Sequence, residues 1–363
     1  MAASVPSMND AENRPVRLAI VGTGGIGKLH VEVAAAHSAV DLVAISSLDD
    51  AAKELSTTFA IPLESDYRKL VRHDIEAVLV ATPNQTHLEI GAFFANAGIH
   101  VLMEKPIAEN LGAARSLCDA FDESGVALLV GHHRRHHSLV RATRDFVQNE
   151  LGTPISTNTL VTMQKPDSYY EVDWRRWAGA GPLLVNLIHE VDLLRFICGE
   201  IEAVQAVSAK RNRDFAFQDS AVVLVHYENG ALGTLTVTES AASPWSWEAS
   251  VSDGLSYYNA GQDHAQFMGT KASLSFPSLT TWSYDASESE PGWNSTLHPK
   301  PLAPVRTNPY VEQIQHFARV VRGDASPVIS GEDALRSLAV VDAVQLAAAS
   351  GERVAIDDVL ADL

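Results

Sequence analysis

"VRLAIVGTGGIGKLHVEVAAA", residues 16–36, joins an apolar run to an alanine-rich segment through a turn with four glycines in six positions. The run before the turn reads as a buried strand and the segment after it as a helix. The turn itself, Gly22-Thr23-Gly24-Gly25-Ile26-Gly27, spells G-x-G-x-x-G. In that setting Gly22 permits the tight turn, Gly24 lets the backbone approach a pyrophosphate, and Gly27 lets helix and strand pack closely. Gly25 and Ile26 open the helix, whose free N–H groups would hold the anion. The stretch predicts a Rossmann-type dinucleotide-binding unit.

The segments that follow repeat the alternation. "VDLVAISS" (40–47), "AVLVATP" (77–83), "IHVLMEKP" (99–106) and "VALLVGHHRRHH" (126–137) read as strands. Helical patterns at 49–59, 85–98 and 109–124 separate them, which predicts a parallel, doubly wound sheet. Near residue 132 the pattern changes to Val/Thr-rich runs at 154–163, 201–211, 220–227 and 231–240. Several alternate as half-exposed strands do, and Asn229-Gly230 marks a hairpin. A single helix is expected at 181–197, a Pro/Ser/Trp-rich loop at 283–309, and two closing helices at about 308–322 and 332–349. The fold class is therefore α/β, with an N-terminal Rossmann domain (15–131) after a flexible leader (1–14) and a C-terminal α+β domain (132–363), whose last helix is free to pack back on the first domain.

Bulk properties narrow the function. The 363 residues are 46% hydrophobic and 20% charged, with a formal net charge of −18. A chain this acidic, without a basic tract, is unsuited to nucleic acid or to an anionic membrane surface. Residues 1–15 lack the apolar core of a secretion signal, and no uncharged run is long enough to span a bilayer. The two cysteines, Cys118 and Cys198, have no metal-type spacing. A cytoplasmic protein is expected.

Candidate site residues cluster at strand ends. The second strand ends in Ser46-Ser47 where a dinucleotide fold usually has an acid for the ribose 2′-OH. The missing carboxylate leans the cofactor toward NADP, while Asp49 or Asp50 as a ribose ligand, and no cation nearer than Lys53 for a 2′-phosphate, leave NAD open. Thr82, Pro83, Asn84 and His87 follow the third strand on the edge where such sheets bind ligands. Glu104 and Lys105 end the next strand, and a lysine there is costly unless it is paired or used. A cis bond before Pro106 would fix its direction. Asn186, His189 and Asp192 are spaced i, i+3, i+6 along one apolar helix, which favours a site over a core histidine. Arg134, Arg135, Arg175 and Arg176 either face an anionic substrate or pair with Glu171, Asp173 or Glu190. Trp174 and the other tryptophans suit stacking on a ring-shaped substrate, a core, or a subunit contact. The histidines of "GHHRRHH" (131–137) leave a strand into a loop without a third ligand, so no metal is expected.

Taken in order, Gly22–Gly27, "ATPNQTH", "EKP", "GHHRRHH", "DWRRWAGAGP", "IHEVDLLR" and "FARVVRGDASPVISGEDALRSLAVVDA" resemble the glucose–fructose oxidoreductase, inositol dehydrogenase and MocA family of NAD(P)-dependent oxidoreductases. The resemblance covers the chain from about residue 15. It implies an open, mostly antiparallel sheet in the second domain, shaping a substrate pocket and joining homodimers or homotetramers. It implies Lys105 beside the nicotinamide and His189 as general acid/base, with Asn186 and Asp192 in support. The family's aspartate four residues before the histidine is Val185 in this chain. The activity implied is hydride transfer between nicotinamide and a secondary alcohol or ketone of a cyclic polyol, sugar or sugar acid. A cyclic diol acid of the aromatic cis-dihydrodiol type is the alternative substrate, and a non-catalytic dinucleotide-sensing protein the alternative class.

Overall fold

The computed structural model describes residues 14–177, 181–251, 257–288, 290–361 and 363. Most of the expected leader and the side chain of Trp174 lie outside the described residues. The first stretch runs β1 (Val16–Val21), α1 (Gly25–Ala36), β2 (Val40–Ser46), α2 (Ala51–Phe59), β3 (Leu63–Glu64), β4 (Ala77–Val80), α3 (His87–Asn96), β5 (His100–Met103), α4 (Leu111–Ser124) and β6 (Leu128–Val130). After it come α5 (Ser138–Asn149), β7 (Pro154–Thr162), α6 (Leu187–Cys198), β8 (Ile201–Ala209), β9 (Ser220–Tyr227), β10 (Leu232–Thr238), β11 (Ala265–Gly269), β12 (Ala272–Phe276), β13 (Thr280–Ser283) and β14 (His298–Pro301). The chain closes with α7 (Pro309–Val321), α8 (Gly331–Ser350), β15 (Val354–Ala355) and a short helix, Ile356–Ala361. Among the described residues no helix is long and apolar enough to cross a membrane.

Residues up to His133 form one unit together with Pro309–Leu335. Its sheet is parallel in the order β3-β2-β1-β4-β5-β6, the doubly wound arrangement that the apolar runs and intervening helices predict. β1 and β4 are buried almost end to end, as strands covered on both faces must be. Ile314, Phe317 and Ala318 of α7 enter the same core as Leu18, Ile20, Val31 and Ile45.

Arg134–Asn308 and Arg336–Leu363 form the second unit. Its nine-stranded sheet runs β14-β13-β12-β11-β7-β10-β9-β8-β15, with β7 and β10 parallel and every other pair antiparallel. The Asn229-Gly230 turn joins β9 to β10 with Gly230 at φ +85. Two expectations are corrected in this unit. The helix expected at 181–197 is two pieces, Pro182–Val185 and α6, broken at Asn186. Asparagine is a poor helix former, and this one hydrogen-bonds a neighbouring lysine with its side chain. The expected loop at 283–309 contains β14, whose sequence HPKP hides a strand because proline is tolerated only at a sheet edge, where this strand lies.

His264, just before β11, is 1% exposed, with its ring edge-on to Phe276 at 5.4 Å. Burial, aided by the positive Arg134, pushes its pKa from 6.5 down to about 3. Between those values the unfolded chain binds a proton that the folded chain does not, so stability falls as pH drops below 6.5. His264→Phe is expected to flatten this dependence in urea unfolding, the gap from wild type growing by up to about 1.4 kcal/mol per pH unit below pH 6.5. Parallel profiles would refute it.

Candidate active site

The glycine turn after β1 carries the most specific local geometry. Gly22 has φ +89 and donates its N–H to the Ser46 carbonyl at 2.8 Å; a β-carbon on it would fall 2.6 Å from the Ala81 carbonyl oxygen. A β-carbon on Gly27 would fall 2.1 Å from the Gly22 oxygen, so α1 approaches the turn as only glycine allows. At Gly24 and Gly25 such an atom would meet nothing within 4 Å, and Ile26 is half-buried beside them. The α1 N-terminus has no side-chain cap and no acid in its first turn, which leaves its backbone N–H groups for an anion. These residues fit a dinucleotide pyrophosphate.

At the end of β2, Ser46 is buried with its carbonyl spent on Gly22. Ser47 is half-exposed and its hydroxyl accepts from the Asp49 amide at 3.1 Å. Lys53 pairs with Asp50 on the surface at 2.7 Å.

The next two strand ends are stitched together. Thr82 and Thr86 share a hydroxyl hydrogen bond of 2.7 Å, and Thr86 donates to the Pro83 carbonyl, closing the short turn at Asn84–Thr86. His87, expected to touch cofactor, is 1% exposed among three carbonyl oxygens: Thr82 at 3.0 Å, Pro106 at 3.0 Å and Ile107 at 3.2 Å. Burial lowers its pKa despite those carbonyls, so its place is that of a clamp between the β4 edge and the segment after Lys105. Lys105 is half-buried and precedes a cis Lys105–Pro106 bond. At Glu104, another expected cofactor contact, the buried carboxylate meets the His30 Nε2 at 2.8 Å. Sequence reasoning missed His30, which lies on the α1 face that the helical period turns to the core.

In the second unit, His189 is 8% exposed on α6, and its backbone amide donates to the Asn186 carbonyl at 3.1 Å. The Asn186 side-chain oxygen accepts from the Lys165 ammonium at 2.9 Å, which also pairs with the buried Glu239 at 2.8 Å. Lys165 and Glu239 were not legible as site residues, because each is a single charge at or just past the end of a Val/Thr-rich run. Val185 is half-buried at the end of the preceding helical turn. Asp192, one helical turn beyond His189, is held by Arg135 and Ser337. Its two oxygens accept from Arg135 at 2.7 and 2.8 Å, and one also accepts from the Ser337 hydroxyl at 3.1 Å.

Arg134 pairs with Glu190 and Glu248 and stacks on Trp247 at 4.4 Å. Of the two readings open for the arginines of "HHRRHH", the structure shows ion pairing inside the unit. Of their acids, the sequence suggested only Glu190. Arg175 donates to the Tyr169 carbonyl at 2.9 Å and lies over that ring at 4.2 Å, while Arg176 pairs with Asp173. The surrounding histidines have structural uses: His137 accepts from the Leu139 amide at 3.1 Å, and His133 stacks on Tyr310 at 4.4 Å. Among the described residues no group of His, Cys, Asp or Glu is placed to hold a metal ion.

Comparison with known proteins adds identity to this geometry. Residues 16–132 match the model of an oxidoreductase family with an NAD-binding Rossmann fold, and residues 145–356 match its C-terminal alpha/beta domain. The inositol 2-dehydrogenase of Rhizobium meliloti is 24% identical over 342 residues, covering 94% of this chain and 99% of that one. The D-xylose 1-dehydrogenase (NADP(+)) of Haloferax volcanii is 24% identical over 341 residues, covering 93% and 99%. The WlbA dehydrogenase from Bordetella pertussis, solved with NADH and UDP-GlcNAcA, shares the fold with a TM-score of 0.77 at 23% identity, covering 94% and 99%. With both halves matched in order around a glycine turn shaped for a pyrophosphate, the chain belongs to the Gfo/Idh/MocA family of NAD(P)-dependent oxidoreductases.

Proposed function

We propose that the protein transfers a hydride between NAD(P) and a secondary alcohol or ketone of a cyclic polyol or sugar. The observation that carries this reading is the glycine turn with its uncapped helix end, in a chain whose relatives include inositol and xylose dehydrogenases. The cofactor supplies the hydride acceptor or donor. His189 serves as the acid/base, since an imidazole exchanges protons near neutrality. Lys105 supports the reacting oxygen, because an ammonium stabilises a developing alkoxide. With Arg134 and Arg135 neutralised inside the second unit, an anionic substituent on the substrate loses its main support, and an uncharged ring is favoured. Asn186, held by Lys165, stands beside His189 and, being an amide, takes no proton in the reaction.

NADP is the proposed cofactor, because β2 ends in two serines with no carboxylate to repel a 2′-phosphate. A homo-oligomer formed through the second sheet is proposed from its outer face, where Val207, Val222, Leu224 and Leu232 expose apolar side chains. Val207 pairs with Val222 across β8 and β9, so the patch is continuous between strands.

Turnover of myo-inositol or D-xylose, followed as NAD(P)H absorbance, is expected to fall about 100-fold or more in kcat for both His189→Ala and Lys105→Met, with NADPH still quenching protein fluorescence. Near-normal kcat in both variants would sink the roles of these two side chains, and cofactor binding without turnover on any polyol or sugar would favour the non-catalytic class. Fluorescence titration should give tighter binding for NADPH than for NADH; the reverse order would return the cofactor to NAD. In light scattering after gel filtration the wild type is expected as a dimer or tetramer and Leu224→Glu as a smaller species. A monomeric wild type removes the interface.

A further inference from the structure

We propose that Asn186 is a hydrogen-bond donor to a substrate oxygen near the reacting carbon, and that Lys165 is the positioning residue that fixes which end of its amide faces the substrate. The inference rests on the acid/base reading of His189 and adds a determinant of substrate recognition in the same unit. Lys165 and Glu239 lie just past the ends of β7 and β10, which run parallel in a register that sets Thr162 against Thr238. The Lys165 amide donates to the Glu239 carbonyl at 3.0 Å, and the Lys165 carbonyl accepts from Arg213 at 2.7 Å. The ammonium then meets three groups: the Glu239 carboxylate at 2.8 Å, the Asn186 Oδ1 at 2.9 Å and the Tyr169 ring at 4.7 Å. Glu239 is 1% exposed, and a carboxylate this deep requires a cation. Lys165, itself buried, supplies it and is held where it stands.

The amide of an asparagine has an accepting end and a donating end of nearly equal shape, and turning it over exchanges them. An ammonium has three donors and no acceptor, so only the oxygen of Asn186 can face Lys165. The orientation is thereby set from outside the amide, and Nδ2 is left on the side away from the ammonium. It has no partner among the described residues, and Asn186 is half-buried rather than sealed in, so its N–H donors remain for a ligand. Asn186 precedes α6 with helical φ −102 and ψ −47, and His189 follows three residues later, its backbone amide closing the turn. Residues so spaced are neighbours on one helix face. The donors therefore stand next to His189, where the oxygens of a polyol or sugar would lie while one of them exchanges its proton.

A cycle that changes enzyme and substrate together tests this. The full-length enzyme is assayed by NAD(P)H absorbance on myo-inositol, D-xylose and a panel of other cyclic polyols and sugars, then on each monodeoxy analogue of the substrate it turns over. The preference for the parent over an analogue is a ratio of two kcat/KM values on one preparation, so partial unfolding or a displaced His189 cancels from it. For the one analogue that lacks the oxygen bound by Asn186, this preference should fall about tenfold in Asn186→Leu. Lys165→Met/Glu239→Gln, which leaves no unpaired charge, frees the amide to turn over and should lose about threefold or more of the same preference. Lys165→Arg, again a cation with donors only, should keep it. An undiminished preference for every analogue in Asn186→Leu overturns the donor role, and an undiminished one in the double variant overturns the positioning role. Absence of wild-type turnover on the whole panel would instead overturn the hydride-transfer reading, and this inference with it.

Discussion

A β-carbon at Gly27 would sit 2.1 Å from the Gly22 carbonyl oxygen, and one at Gly22 would sit 2.6 Å from that of Ala81. These two approaches bring α1, the turn after β1 and the end of β4 into contact through bare backbone, and the rest of the first unit is arranged around that contact. Only because α1 comes so close can His30, three residues past Gly27, reach back to the end of β5 and bind Glu104. The N-cap residue, Gly24, carries no side chain, so the helix N-terminus stays uncapped and open to an anion. One steric constraint thus shapes the glycine turn and the end of β5 together.

The second unit handles its charges differently. Arg134, Arg135 and Arg195 are nearly fully buried, and each meets carboxylates in its own unit. Breaking one member of such a buried pair is costly, whereas the intact pair contributes little net stability. Their value lies in direction: Arg135 fixes Asp192 on α6, while Lys165 fixes the Asn186 side chain just before that helix. His189, between them in sequence, is framed by groups whose directions are already fixed.

Most of the first unit was legible because parallel strands are apolar along their length and its glycines are dictated by backbone approach. Ser46, Ser47 and Lys105 could be placed at strand ends for the same reason. The second unit was less legible. Two prolines concealed β14, and an asparagine whose side chain binds a distant lysine broke an otherwise continuous helical pattern. His87 and Glu104 illustrate the limit at the site itself. Both stand where a ligand-facing residue is expected, yet both turn inward, because buried carbonyl oxygens and a buried imidazole offer better partners than solvent does.

The sequence alone determined the glycine turn, the parallel sheet and the family, since these follow from period, spacing and the steric demands of single positions. Tertiary structure decided which charges are spent. Whether Arg134 meets a substrate or Glu190 and Glu248, and whether Glu104 meets a cofactor or His30, depends on residues up to 114 positions away. Burial sets the energetic stakes of such pairings, and burial is a property of the packed chain that no local pattern encodes.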